Sequence, residues 1–172
     1  ADVHLQAPAG AGKTFLGLHR MLQVLEKEMH KESSRAQKML FVARNPALCF
    51  FVAKWIDERL KEQLRISNCI KRQGILARVH ILCDPLEDGP RSIAVKNKRV
   101  VFEKPRVEVA AGGGGVPYSL VVVDEAHHLY RDDRTRKLIE ESFVVVGKTR
   151  RMLLSDISQS TLYAIPYPEG TK

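Results

Sequence analysis

The stretch Val3-His4-Leu5-Gln6-Ala7-Pro8-Ala9-Gly10-Ala11-Gly12-Lys13-Thr14 decides the fold. Val3 to Gln6 alternates in character and reads as a short strand, Ala7 to Gly12 as a loop. A helix opens at about Lys13, with Leu18, Met21, Leu22, Leu25 and Met29 at three- and four-residue intervals. Strand, glycine loop and helix in that order make a phosphate cradle. Glycines let successive backbone N–H groups turn inward, and the helix N-terminus adds the positive end of its dipole. Lys13 can reach the β- and γ-phosphates of a nucleoside triphosphate, and the Thr14 hydroxyl can ligate magnesium. The cradle spans Ala9, Gly10, Ala11, Gly12, Lys13, Thr14 and Phe15. Ala7 stands where such a loop usually has its first glycine. That position serves turn geometry more than phosphate contact, so alanine should be tolerated there.

Outward from this loop, apolar strands alternate with helices. Met39 to Ala43 is a continuous apolar run, as expected of a strand covered on both faces. Asn45 can cap the next helix with Pro46 in its first turn; Leu48, Phe51, Val52, Trp55, Ile56 and Leu60 form its apolar face, to about Arg65. Val79 to Cys83 reads as a third strand. From Asp84 to Ser119 the pattern loosens around four prolines and the run Gly112 to Gly115, which reads as a flexible linker. Val100 to Phe102 and Val107 to Val109 are expected to pair as a small hairpin or to be edge strands. Leu120 to Val123 is another apolar strand, Asp133 to Phe143 a helix, and Met152 to Leu154 a strand ending at Ser155 and Asp156. The expected fold is one three-layer α/β domain over residues 1–165 with a mostly parallel sheet, followed by an exit linker over 166–172.

A second chemical signal is Leu120-Val121-Val122-Val123-Asp124-Glu125-Ala126-His127-His128. An apolar strand delivers carboxylates to the C-terminal edge of the sheet, where ligands bind in open α/β folds. Asp124 is suited to hold magnesium, and Glu125 to orient and polarise an attacking water. A strand ending in two acids is common; beside the phosphate loop it reads as the other half of one magnesium-nucleotide site.

The chain has 172 residues, one domain's worth, and its 44% hydrophobic and 28% charged composition is that of an ordinary globular protein. No apolar run is long enough to span a bilayer and no secretory leader is visible, so an intracellular protein with no membrane partner is expected. The start at Ala1 suggests a piece of a longer chain. The net charge of +8 points to an anionic partner, nucleic acid being the usual one, although a solvated basic surface gives the same balance. Lys96, Lys98, Arg99, Lys104 and Arg106 could track a nucleic-acid backbone or protect an exposed edge. Arg131, Arg134, Arg136 and Lys137, amid acids, read as a solvated helix face. Cys49, Cys69 and Cys83 have no metal-type spacing and read as buried or free thiols in a reducing compartment.

The two motifs resemble the Walker A and Walker B motifs of P-loop NTPases, and Asp-Glu-Ala-His is the form seen in helicases and related translocases. Leu153-Leu154-Ser155-Asp156-Ile157-Ser158-Gln159 looks like motif III of superfamily 1 helicases, with Ser155 in place of its glycine. Phe41 to Leu48 is similar to motif Ia. This resemblance implies a first RecA-like domain using ATP and Mg2+, with Gln159 sensing the γ-phosphate, Asp156 supporting the strand end, and His127 linking the nucleotide site to motif III or a facing domain. It also implies that Arg44 or Asn45 touches the nucleic acid, and that a second RecA-like domain supplies the arginines that stabilise transition-state charge. His128 reads as a surface or packing histidine. Three functions are compatible with these residues. They are the first half of an ATP-driven nucleic-acid motor, a nucleotide-gated signalling switch, and a degenerate module that binds nucleic acid without catalysis.

Overall fold

Along the chain, β1 (Val3–Ala7) and α1 (Lys13–Glu28) are followed by β2 (Lys38–Ala43), α2 (Pro46–Glu62), α3 (Cys69–Leu76) and β3 (Val79–Cys83). Then come β4 (Arg91–Lys96), β5 (Arg99–Glu103), β6 (Tyr118–Val123), α4 (Ala126–Leu129), α5 (Asp133–Phe143), β7 (Arg150–Asp156) and α6 (Ile157–Ser160). This is a computed structural model; it describes residues 2–29, 37–105 and 117–160, the side chains of Gln159 and Ser160 excepted. The proposed glycine linker at Gly112 to Gly115, Val107 to Val109, Arg106 and the tail 166–172 lie outside the described residues. Among those described, no helix is long and apolar enough to cross a membrane.

The sheet has seven strands in the order β1-β7-β6-β2-β3-β4-β5. The five strands from β1 to β3 are mutually parallel, and β4 and β5 are antiparallel. Residues 39–43 are all buried because successive side chains point to opposite, covered faces. Met39, Phe41 and Ala43 join Leu18, Met21, Val52, Ile56 and Ile75 under α1, α2 and α3. Leu40 and Val42 join Leu129, Tyr130, Ile139 and Phe143 under α4 and α5. The three-layer α/β architecture expected of the sequence is therefore present.

Val100 to Phe102 lies in β5, the last strand in the order and so an edge strand, as one of the two expectations had it; Val107 to Val109 lies outside the described residues. Arg99 to Glu103 pairs antiparallel with Lys96 to Ser92. The turn between them, Asn97 and Lys98, has φ of 49° and 62°, the left-handed pair that a two-residue hairpin turn requires. The hairpin closes the sheet edge, and its Lys96 pairs with Glu103, so one cation of the basic run is already neutralised. Helix α3 covers a segment that the sequence pattern left unassigned. Only Ile75 and Leu76 of this helix are buried. Arg72 Nε donates to the buried Asp57 of α2 at 3.0 Å, and the Gln73 amide accepts from Val95 N at 2.9 Å and donates to Ile93 O at 3.3 Å. Gln73 thus supplies to β4 hydrogen bonds that β3 is too short to make.

Helix α1 lies close on the sheet at Gly17, where a Cβ would sit 3.0 Å from Val122 Cγ1 and 3.2 Å from Leu154 Cδ1. Both neighbours are core residues of strands flanking the nucleotide edge. We expect Gly17→Val to lower stability by about 1–3 kcal/mol through overpacking. Urea denaturation reads this directly; a midpoint equal to wild type would show that the helix can lift without penalty.

On the opposite face, His80 and Tyr118 are buried together, with Nδ1 of His80 2.7 Å from the tyrosine hydroxyl. Burial, then the charge of Lys38, pushes His80 down from its ordinary 6.5 to about 4. The unfolded chain therefore binds a proton at pH values where native His80 does not. The stability from the neutral ring is complete above about pH 6.5 and is lost as pH falls toward 4. Between pH 7.5 and 5 the expected loss is roughly 2 kcal/mol, read as the difference between wild type and His80→Gln in their unfolding free energies across that range. Parallel pH profiles in the two proteins would refute it.

Candidate nucleotide site

The parallel strands all end at one edge of the sheet. Ala7 pairs with Asp156, Val123 with Leu153, and Val42 with Val123, so the loops after β1, β7, β6 and β2 lie side by side. The order matters: β7 is between β1 and β6, which puts Asp156 between the glycine loop and the acidic pair at Asp124.

In the loop, Gly10 and Gly12 have φ of 76° and 78°, and no atom lies within 4 Å of where a Cβ would be. The space beside the loop is open at both positions, and a side chain at either would strain the backbone. Gly12 is the N-cap of α1, without a side-chain cap; the early N–H groups of such a helix have no intrahelical partner. Ala7 is not at a strained position: it is the last residue of β1, and among the described residues positive φ outside glycine occurs only at Arg65, Asn97, Lys98 and Glu125. Alanine for glycine at the start of the loop therefore costs nothing in backbone geometry. Ala9 and Ala11 are exposed in the loop. The Phe15 ring turns toward α2, 5.8 Å from Phe51 and 6.3 Å from Trp55 centroid to centroid, while its backbone stays in the first turn of α1.

Lys13 Nζ donates to Ala7 O at 2.6 Å and Pro8 O at 2.7 Å, which sets the ammonium against the loop. Thr14 Oγ1 donates to Asp124 Oδ2 at 2.7 Å. Residues 110 apart in sequence thus meet, joining the two motifs that the sequence presents separately. Asp124 is 4% exposed. Its other oxygen accepts from the N–H of Glu125 at 2.9 Å, and Glu125 takes a left-handed conformation, φ 49° and ψ 41°. Strain of this kind in a non-glycine residue is stored where the surroundings hold it. Here it turns the Glu125 side chain to the exposed side of the site.

His127 is buried, and its Nδ1 accepts from the backbone N–H of Asp156 at 3.2 Å. The structure thus brings together two residues that the sequence assigned to coupling. Two hydrogen bonds from Ser158 hold the Asp156 carboxyl below the usual range, with the charge of Lys13 adding to the effect. Ser158 was not foreseen. A serine two residues after an aspartate at a helix start is the local signal that could have found it. His128 is exposed, with its ring 4.2 Å from that of His127. The backbone of Gln159 is in α6, while its side chain lies outside the described residues.

Arg44 and Asn45 follow β2 at the same edge. The Asn45 side chain accepts from Ala47 N at 2.9 Å as the cap of α2, and exposed Arg44 pairs with Asp84 at 3.6 Å. Sequence reasoning also missed Arg151, whose guanidinium binds Asp2 and, at 2.7 Å, Glu140. It ties the start of β1 to α5 through β7, well away from the loop.

The DEAD/DEAH box helicase family model matches residues 1–155 of this sequence. The chain belongs to that family. No curated protein and no solved structure matches it. As a DEAD/DEAH box helicase domain, the chain has ATP-dependent, helicase-type function on nucleic acid, and the joined loop and acidic pair stand at the edge of a RecA-like sheet.

Proposed function

We propose that this domain is the first RecA-like half of a superfamily 1-like motor, binding ATP with Mg2+ and hydrolysing it to drive unwinding or translocation. The Thr14–Asp124 hydrogen bond carries the reading, because it sets a hydroxyl and a carboxylate side by side next to an open glycine loop. Hard oxygen donors of this kind suit magnesium, and Thr14 and Asp124 would hold it. When bound, the ion neutralises charge on the phosphate oxygens.

The chain's own residues divide the remaining work. Backbone N–H groups from Ala9 to Phe15 bind the phosphates, and Lys13 releases its two carbonyl contacts to pair with the β- and γ-oxygens. Glu125 accepts a proton from, or orients, the water that attacks the γ-phosphorus in line with the leaving oxygen. Gln159 senses the γ-phosphate, and the His127–Asp156 contact transmits its loss to the strand ends. Arg44 and Asn45 offer the contact to nucleic acid on the same edge.

An arginine from a second domain would stabilise the charge that develops on the transferring phosphate and raise the rate. The isolated chain is therefore expected to bind magnesium-ATP weakly and turn it over very slowly. ATPase assays of this chain, and of a longer protein that includes it, each with and without single-stranded DNA or RNA, test the proposal. Stimulation of the longer protein that disappears in Lys13→Ala supports the motor. Brisk turnover by the verified monomeric chain, or indifference of the longer protein to every nucleic acid, overturns it.

A further inference from the structure

The cations of this protein are not evenly matched by carboxylates. At the hairpin Lys96 pairs with Glu103, and on α5 Arg136 pairs with Asp133. At the N-terminal ends of the parallel strands the pairing stops. There a cavity of about 630 Å³ opens between α1, the start of β6 and the turn before β7, with Arg20, Lys27, Lys148 and Arg150 in its lining. Among the described residues none of the four makes an ion pair; Arg20 donates only to the neutral Gln23, at 3.2 Å. The two carboxylates of the lining are already engaged. Asp2 accepts from Arg151 N at 2.8 Å and from its Nε at 2.9 Å. Glu28 is 6% exposed beside Arg78, whose guanidinium donates to Glu28 O at 2.8 Å.

The cations are spread along a line. Arg20 and Lys27 share one face of α1 two turns apart, about 10 Å along its axis. Lys148 is exposed in a turn closed by Thr149, whose N–H bonds to Val145 O at 2.8 Å and whose hydroxyl accepts from Val145 N at 3.0 Å. Arg150 begins β7 opposite Leu120. A single phosphate cannot touch groups spaced in this way, whereas successive phosphates of a chain can. None of the lining side chains is aromatic, so bases have nothing to stack on and a backbone is what the cavity can recognise. The length of β7, about 20 Å, separates it from the nucleotide edge.

We propose that this cavity binds the sugar-phosphate backbone of a nucleic-acid strand, at the end of the sheet opposite Arg44 and Asn45. Four positive charges line an open polar recess, and a polyanion that releases their counterions and its own gains affinity that depends on salt and not on sequence. The proposal rests on the family's action on nucleic acid and is independent of the roles given to Arg44 and Asn45.

Titration of the full chain with fluorescein-labelled oligothymidylate over a range of salt concentrations tests this. Lys27→Ala and Lys148→Ala alter exposed residues on different elements and should keep the wild-type melting temperature. Each should weaken binding severalfold at low salt and lower the slope of log affinity against log salt by about 0.7, the release from one phosphate of a single strand. Oligoadenylate should show the same losses. Lys137→Ala removes the same charge from an exposed position on α5 and should leave both quantities nearly unchanged. Losses in Lys137→Ala equal to those in Lys148→Ala would reduce the cavity to bulk charge and overturn the proposal. Wild-type affinity in both cavity variants, or a wild-type chain that binds no strand, would overturn it as well. So would inorganic tripolyphosphate displacing the strand as well, per phosphate, as unlabelled strand does, since that marks a site for small anions. Arg44→Ala separates the two contacts: a loss there with none in the cavity variants would leave Arg44 as the contact and remove the cavity.

Discussion

Glu125→Gln lowers single-turnover ATP hydrolysis by about 10²–10⁴-fold, the usual contribution of a positioned general base, and leaves ATP affinity nearly unchanged. The geometry supports this separation of binding from turnover. Glu125 is exposed, and its backbone N–H is held by the Asp124 carboxylate. The amide keeps the size and the left-handed backbone but cannot take a proton or polarise water. Rapid-mixing hydrolysis with enzyme in excess, alongside equilibrium titration with a fluorescent ATP analogue, separates the two effects. Equal losses in affinity and rate would mean that Glu125 holds the ground state and is not the base.

Lys13→Ala is expected to do the opposite, weakening magnesium-ATP binding and reducing turnover by at least about 100-fold, because a charge aimed at the transferring phosphate is removed. Its ammonium also bridges Ala7 O and Pro8 O. Loss of that bridge frees the loop, so part of the effect should appear as faster amide exchange in residues 8–12. Fold stability should change little, since the loop is exposed and outside both apolar clusters. Wild-type affinity in a correctly folded Lys13→Ala protein would refute its placement on the phosphates. A large fall in melting temperature would instead mark Lys13 as a structural clamp. Together the two variants test whether the Thr14–Asp124 contact marks one site, with a binding half and a hydrolytic half.

The family model supports ATP-dependent helicase-type function for the domain as a whole. The residue roles, the second domain and the superfamily 1 affinity stand on the motif readings and the site geometry, so these variants and the stimulation assay bear on them most directly.

Much of this protein was determined by sequence alone, where the pattern is local. The 39–43 run could be buried only on both faces, and Asn45-Pro46 could only begin a helix, because capping and burial are settled within a few residues. The glycine loop and the acidic pair were legible for the same reason: each needs a fixed residue type at a fixed offset from a strand end. Tertiary structure decided what depends on distant neighbours. Helix α3 has only two buried residues and is held by Asp57 and by the β4 backbone, partners that no periodicity within 69–76 reveals. The pairing of β5 with β4 depended on a left-handed Asn97-Lys98 turn, which has no glycine to signal it. The placement of β7 between β1 and β6 made one site of two motifs, because strand order is fixed by packing across the whole sheet and leaves no mark in any single segment.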